Sequence, residues 1–513
     1  MGVIAFEDEH LLAVNKPAGW NTHSPAPFAG EGLYEWLRDR EPRWSGLSII
    51  HRLDKATSGL IVFGKTAAAN RSLTRQFETG AISKKYLLLT DRKITFQELH
   101  ARSALVRSGE KYLSRPVHAG ATIAETVFQP VGTMIEAAPL TGKTHQIRVH
   151  AAEHGFPILG DALYGGSSAA RLCLHAAQLT FEHPASGQTV TLSAPVDFGE
   201  DSRFALREAV IDPAMTDAFR VVHGAADGSP GLYIDRLGEY LLAQSAAPLS
   251  GPEKERVEQC ALRLGSRAVY HKILQHEERA GPRCLWGTAA PGEISIRENG
   301  VRFALQLDEG YSSGLFLDQR DNRRRLLTRH VAADFDITAT ADVLNTFAYT
   351  CGFSVCAAMS GARVTSLDLS KNYLEWGRRN FTLNGIDPGG HDFIFGDAFN
   401  WLRRLAKKKS RFDFVLLDPP TFSRSKESGI FQAERDYGTL VSAALSVLKP
   451  GGILFASTNA AQFKAEDFLA SVTGAIERAG RRITLQNYAS QPPDFPIERD
   501  EPAYLKTIWL RVG

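Results

Sequence analysis

The sequence predicts a multidomain chain in three parts. An N-terminal α+β part with a mixed sheet covers residues 1–197, a small α+β module covers 216–310, and an α/β doubly wound part covers 311–513. Three observations predict it. Up to about residue 197 the chain is built of short apolar alternations (YLLL, AETVFQPV, TVTLSAP) broken by Gly, Pro and Asn, the texture of strands joined by turns. Residues 216–310 then read strand–strand–helix–strand–strand: FRVVHG and GLYIDRLGEYLLAQ, the amphipathic PEKERVEQCALRLG, then AVYHKIL and ISIRENGVRFALQL. Beyond 311, apolar strands (ADVLNTFAY, ARVTSLDLS, HDFIFGDA, FDFVLLDPP, GILFASTN) alternate with helical stretches, which predicts a parallel sheet covered on both faces. The charged, weakly periodic stretch 198–215 reads as a connector.

A length of 513 residues corresponds to about three domains at roughly 100–200 residues each. Apolar residues make up 43% and charged residues 23%, which excludes a disordered chain. No run of about 18 apolar residues is present, so no membrane helix is expected. The acidic start MGVIAFEDEH lacks the basic flank of a signal peptide. Five cysteines without a CxxC pair argue against a disulfide framework or a zinc site, so a cytoplasmic protein without metal is expected. Net charge is only +2, yet residues 51–150 hold 15 Lys and Arg against 7 Asp and Glu. A basic centre inside a near-neutral chain is the footprint of a polyanion partner.

The most specific N-terminal stretch is His51-Arg52-Leu53-Asp54-Lys55-Ala56-Thr57-Ser58-Gly59-Leu60, ahead of Ile61-Val62-Phe63. Read alone, an aspartate between Arg52 and Lys55 is a salt-bridged turn. It is accompanied by Leu12-Ala13-Val14-Asn15-Lys16-Pro17-Ala18-Gly19, Lys84-Lys85-Tyr86, Thr141-Gly142-Lys143-Thr144-His145-Gln146-Ile147-Arg148-Val149-His150 and Pro157-Ile158-Leu159-Gly160-Asp161. In order, spacing and wording these stretches resemble the RluA-type pseudouridine synthases over about residues 1–197. The resemblance implies a domain that isomerises uridine in structured RNA without a cofactor. It implies Asp54 as the catalytic aspartate at ribose C1′ and Arg148 as its basic partner. Tyr86 becomes the aromatic on the target base, and Arg52 the side chain that fills the gap left by the flipped nucleotide. The Thr141-Gly142-Lys143-Thr144 run is not a phosphate loop, because Ala137 stands where the motif needs glycine. ATP is not implied.

In the C-terminal part, Asp342 to Gly352 (DVLNTFAYTCG) is a strand running into a small-residue turn. Ala362 to Asp368 is a second strand ending in an acid about 20 residues later, an arrangement that holds a nucleoside. Asp397 and Asp418 end later strands, the latter in Asp418-Pro419-Pro420-Thr421-Phe422. With Tyr311-Ser312-Ser313-Gly314-Leu315-Phe316-Leu317-Asp318-Gln319-Arg320 and Leu374-Glu375-Trp376, the run from 216 to 513 resembles the RlmK and RlmI type of class I S-adenosylmethionine-dependent methyltransferases of 23S rRNA. The resemblance implies a Rossmann-like domain in which Asp368 binds the donor's ribose and Asp397 its adenine. The turn from Asn345 through Phe347 and Tyr349 to Gly352 takes the methionine part, and Gln319 and Arg320 line the same pocket. Asp418 points towards the donor and Phe422 offers a ring face to the base. Of the basic runs, Arg320, Arg323, Arg324 and Arg325 are expected at the mouth of this site. The run from Arg403 to Arg411 is expected to be a solvated face.

The two relatives methylate different atoms. Methylating cytosine C5 calls for a Cys thiolate adding at C6, and neither the Asp418 turn nor the Ser457-Thr458-Asn459 strand end has a cysteine. A guanine N7 lone pair needs only alignment with the methyl group, so guanine is the expected base. The expectation is a bifunctional enzyme acting on large-subunit rRNA. A single-activity enzyme whose other half binds RNA stays open, as does cytosine C5 as the target.

Overall fold

Strand Ser58–Gly64 is buried along its whole length and anchors an eleven-stranded mixed sheet. In the computed structural model, which describes all residues except 1, 31, 119, 200, 275–280, 308–311, 339–340, 426 and 428, its neighbours are Leu11–Lys16 and Leu174–Glu182. Ser83–Leu88 and then Met134–Pro139 follow along the sheet. Leu60, Ile61, Val62 and Phe63 are at most 1% exposed. Each such side chain contributes roughly 1.5–3 kcal/mol of burial, so the loop 50–57 springs from a rigid platform. Gly59 sets where that loop ends. At φ +118 it lies so close to the parallel neighbour that a Cβ would meet the Ala176 carbonyl at 2.4 Å and its nitrogen at 2.5 Å. Only glycine fits there.

The chain forms two compact units, one ending at Asp212 and the other comprising Pro213–Gly513 with residues 26–31 and 39–42. The boundary falls inside the stretch read as a connector, but most of that stretch is not a linker. Ser202–Val210 is a helix capped by Asp201, with Phe204, Leu206 and Val210 buried, and it belongs to the first unit. Sequence periodicity missed it because Arg207, only 2% exposed, occupies a core-facing position.

In the second unit the expected strands and helix of the central module form: Ala218–His223, Leu232–Leu237, Tyr240–Ser245, helix Gly251–Arg263, Ala268–Ile273 and the hairpin Glu293–Glu298/Val301–Gln306. One further strand, Arg283–Gly287, pairs with Ala268–Ile273 and completes a five-stranded sheet. Part of the module shares a core with the C-terminal sheet, while Ile234, Leu241, Val257 and Val269 are buried within the module itself. Ile296, Phe303 and Leu305 pack in one cluster with Phe414, Phe455 and Trp509.

The C-terminal sheet has seven strands in the order Asp392–Phe395, Arg363–Asp368, Asp342–Thr346, Phe412–Leu417, Leu448–Thr458, Lys506–Val512, Ile483–Ser490. The first five are parallel, as expected. Lys506–Val512 runs antiparallel to both neighbours, an edge arrangement that the alternating pattern did not announce. Strand order reverses between Asp342–Thr346 and Phe412–Leu417, and doubly wound sheets bind ligands beyond the strand ends at such a reversal. Among the described residues no helix is long and apolar enough to cross a membrane, and no group of three metal-ligating side chains occurs.

Candidate active sites

The first site is a cleft of about 890 Å³ in the first unit, lined by Thr22, His23, Arg52, Asp54, Lys84, Tyr86 and residues 139–148. Three residues, Lys16, Thr22 and Gly19, hold the loop that carries Asp54. Lys16, fully buried at the end of its strand, donates to the carbonyls of Pro17, Trp20 and Lys55 at 2.9, 2.8 and 3.1 Å. Burial drops its pKa to about 7, opposed by the charge of Asp54. Thr22 Oγ1 donates to the Leu53 carbonyl at 2.9 Å, and the Gly19 amide donates to that of Lys55 at 2.8 Å.

Across the cleft, helix Gln146–Glu153 presents Arg148. Gln146 pins its start, donating to the Glu125 carbonyl at 2.8 Å and accepting from Thr141 Oγ1 at 2.7 Å. Arg148 is bidentate with Asp161, Nε to Oδ2 at 2.7 Å and Nη2 to Oδ1 at 2.8 Å, and the pair is almost wholly buried. Its remaining nitrogen, Nη1, lies 3.7 Å from Asp54 Oδ2. His145 Nε2 lies 3.8 Å from the same oxygen. Asp161 therefore aims the guanidinium, and the third nitrogen faces Asp54. Tyr86, on the strand paired with Ala137 and Ala176, has its phenol pushed well above the usual range by burial and by the charge of Asp54, so it stays protonated. Arg52 is exposed, with Nη1 3.1 Å from His23 Nε2. The structure thus brings Asp54, Tyr86 and Arg148 together with the exposed Arg52. Sequence reading gave no role to Asp161, His145 or Lys16. The Gly160-Asp161 and Asn15-Lys16 motifs were visible, but their partners are set only by the fold.

The second site lies at the strand ends of the seven-stranded sheet. In the turn after Asp342–Thr346, Phe347, Tyr349 and Cys351 have φ of +58, +49 and +63, three non-glycine residues in the left-handed region. Strain of that kind, of order 1–3 kcal/mol per residue, is stored at ligand clamps. Asp368 accepts from the Tyr349 amide and the Ser370 amide, both at 2.8 Å, and burial pushes its pKa up. An acid fixed by backbone donors at the end of the second strand, facing a strained turn, fits a nucleoside donor. Asp397 caps helix Ala398–Lys407 by accepting from the Asn400 amide at 3.0 Å.

Asp418 ends the strand Phe412–Leu417 and receives Gln319 Nε2 at 3.3 Å on both oxygens, while Gln319 also donates to Ser457 Oγ at 2.8 Å. Burial and the nearby Asp318 raise the Asp418 pKa to about 6, against a hydrogen bond from Ser457. Beneath the turn, Tyr437 Oη bridges the Leu417 and Ser457 carbonyls, a support that no motif announced. Phe422 is 55% exposed beyond the turn.

Three expectations need correction. Asn345 is not open to a ligand: it is buried and its amide donates to Ser354 Oγ at 2.9 Å, tying its strand to the following helix. Arg320 does not line the pocket: its guanidinium is buried in a bidentate pair with Asp494 at 2.6 and 2.8 Å. The arginine run is not a basic mouth either. Arg323 pairs with Glu298, Arg325 donates to the Val331 carbonyl, and all four arginines are at most 5% exposed in helix Arg320–Thr328. Paired guanidiniums can be buried, and here the partners come from distant segments. The 403–411 run is exposed, as read. Tyr311 and Lys426 lie outside the described residues.

Fold and sites together define a class I methyltransferase unit and a cleft built around one aspartate. The S-adenosylmethionine-dependent methyltransferase family matches residues 256–511, and the RNA pseudouridylate synthase family matches residues 10–153. A ribosomal RNA large subunit methyltransferase of Deinococcus radiodurans is 34% identical over 61% of this chain and 78% of its own. The ribosomal RNA large subunit methyltransferase I of Klebsiella pneumoniae (strain 342) is 33% identical over 58% and 74%. The solved structure of SMU.776 with SAH superposes with a TM-score of 0.53 at 25% identity, covering 65% of this chain and 86% of that one. The chain belongs to the S-adenosylmethionine-dependent methyltransferases and carries an RNA pseudouridylate synthase domain at its N-terminal end.

Proposed function

We propose that this chain modifies large-subunit ribosomal RNA twice, isomerising a uridine in the first unit and methylating guanine N7 in the second. What carries the reading is the coexistence of two complete constellations in one chain: Asp54 faced by Arg148 and His145, and Asp418 set beyond a strained donor turn. The curated methyltransferases it resembles are named for large-subunit rRNA.

In the first cleft, Asp54 attacks or deprotonates at the ribose so that uracil detaches, turns and rejoins through C5. Arg148 steadies the carboxylate. Tyr86 stacks on the base. Once C5 has bonded to C1′ its proton leaves and N1 takes one up, a net shift that the protonated Tyr86 hydroxyl can relay by giving up its own proton as it receives another. Arg52 occupies the space of the extruded nucleotide, which offsets part of the few kcal/mol of unstacking. In the second unit, S-adenosylmethionine supplies an electrophilic methyl group. With it bound, Asp368 would accept from its ribose hydroxyls, the 347–352 turn would open backbone to its methionine part, and Asp397 would border its adenine. Asp418 and Phe422 orient the target base. The cysteines favour a ring nitrogen over cytosine C5. Cys351 and Cys356 are buried with thiols pushed up to about 12 by burial, and such thiols are not thiolates at neutral pH.

Nucleoside mass spectrometry of rRNA from cells with and without the gene tests this. Loss of one pseudouridine and one 7-methylguanosine from large-subunit rRNA is expected. Loss of only one modification would reduce the second unit or the first to RNA binding, and loss of 5-methylcytidine would replace guanine.

A further inference from the structure

His145 lines the cleft without a part in the chemistry above. Its Nε2 is 3.8 Å from Asp54 Oδ2, the oxygen that Arg148 Nη1 meets at 3.7 Å. Its Nδ1 is 2.8 Å from Tyr164 Oη, and the Tyr112 backbone amide donates to that same oxygen at 2.8 Å. A phenol has one proton and acceptor lone pairs, and a backbone amide can only donate. The amide takes a lone pair of Tyr164, so the hydroxyl proton is left to go to Nδ1. That makes Nδ1 the acceptor and puts the ring proton on Nε2, on the side of Asp54. The opposite tautomer would set two N–H donors on Tyr164 Oη and turn an imidazole lone pair towards a carboxylate oxygen.

The setting keeps the ring in place. Tyr112 and Tyr164 meet it edge-on, each with centroids 5.6 Å away, and Arg148 lies 5.0 Å over the Tyr164 ring. His145 itself sits at φ +57 as the N-cap of the helix that carries Arg148. Burial lowers its pKa, which favours the neutral ring. Oδ2 is the Asp54 oxygen nearest to both nitrogens.

We propose that His145 is a positioning residue for the isomerisation: locked by Tyr164 as the Nε2–H tautomer, it acts with Arg148 on the Oδ2 side of Asp54 to hold the carboxylate facing the ribose. This rests on the pseudouridine synthase role of the cleft. Two measurements on the full-length protein test it. The ¹⁵N shifts of the His145 ring, assigned by difference with His145→Gln, should show protonated Nε2 and bare Nδ1, and Tyr164→Phe should mix the tautomers. A ring protonated at Nδ1 would overturn the proposal whatever the substrate.

The second measurement is single-turnover pseudouridine formation on protein-free large-subunit rRNA from cells lacking the gene. His145→Ala should lower the rate roughly ten- to hundred-fold with KM for the RNA unchanged. His145→Gln, whose amide nitrogen can take the place of Nε2, should recover most of it. Equal losses in Ala and Gln would mean that only bulk matters, and would also overturn the proposal. A wild-type chain inert on this RNA would count against the rRNA reading alone, because the ring shifts decide the tautomer without substrate.

Discussion

Asp54 and Asp418 each stand at the centre of a site, in contrasting company. Asp54 faces a guanidinium and an imidazole across one oxygen, with a second carboxylate, Asp161, holding the guanidinium from behind. Asp418 is met by the neutral amide of Gln319 and by Ser457, beside another acid, Asp318, and its pKa rises to about 6. On the proposed function, the difference matches what each acid would do. A carboxylate that must react as an anion is given cationic or N–H partners. One that only borders a cationic methyl donor can be left with neutral dipoles, because the substrate brings the charge.

The sharpest way to break this comparison is Asp54→Asn. Pseudouridine formation should vanish, since losing a nucleophile costs on the order of 10⁶-fold. RNA affinity should hold, because one carboxylate is lost among many phosphate contacts, and methylation should continue. A variant that still isomerised uridine at a comparable rate would remove Asp54 from the chemistry. Next in size is Asp161→Asn. It leaves Arg148 buried with half its pairing gone, and breaking a buried pair costs about 3–5 kcal/mol. Denaturant unfolding of the first unit should register that loss, and pseudouridine formation should fall with it. An unchanged midpoint would mean that the pair contributes nothing to the cleft.

How much of this contrast was legible beforehand depended on whether the signal was local. The strands Ser58–Gly64 and Phe412–Leu417 were readable because both faces are buried and the apolar run is unbroken. Asp54, Tyr86 and Arg148 were readable because each sits in a distinctive local stretch. The fate of Arg320 was not. A run of arginines in a sequence looks like a surface, and the carboxylates that bury Arg320 and Arg323 lie 174 and 25 residues away. Asp161 and His145 failed in the same way, since their chemistry exists only once helix Gln146–Glu153 faces the loop of Asp54.

The pH response should differ between the sites. Asp418 has a folded pKa raised to about 6 from an ordinary value of 3.8, so its neutral form is favoured by folding. The stability it contributes is present in full below about pH 4 and is lost as pH rises through 6, by roughly 3 kcal/mol at about 1.4 per unit. Asp418→Asn should flatten that fall, melting higher than wild type at pH 7.5 while methylating poorly. An unchanged slope between pH 4 and 7 would place Asp418 in a wetter setting. For the donor itself, Asp368→Ala should weaken S-adenosylmethionine binding by about 1–3 kcal/mol, the loss of hydrogen bonds to a charged group. A calorimetric titration with wild-type affinity would take Asp368 out of the pocket.

The smallest expected effect concerns Cys351, and it decides the kind of methylation. Its Sγ is buried against Gly377, where an added Cβ would stand 2.3 Å from the sulfur, and the thiol is pushed up to about 12 by burial. A nucleophile for cytosine C6 needs the thiolate and a path to the base, whereas here the sulfur fills the contact between the donor turn and helix Lys371–Leu383. Cys351→Ala removes one buried atom from a close-packed contact, so a loss of about 1 kcal/mol in stability is expected. Methyl transfer measured at saturating donor should survive within about twofold, since no bond to sulfur forms. Abolished transfer in a variant that still binds donor would make Cys351 the nucleophile, and 5-methylcytosine as the sole product would carry the methyl from guanine to cytosine.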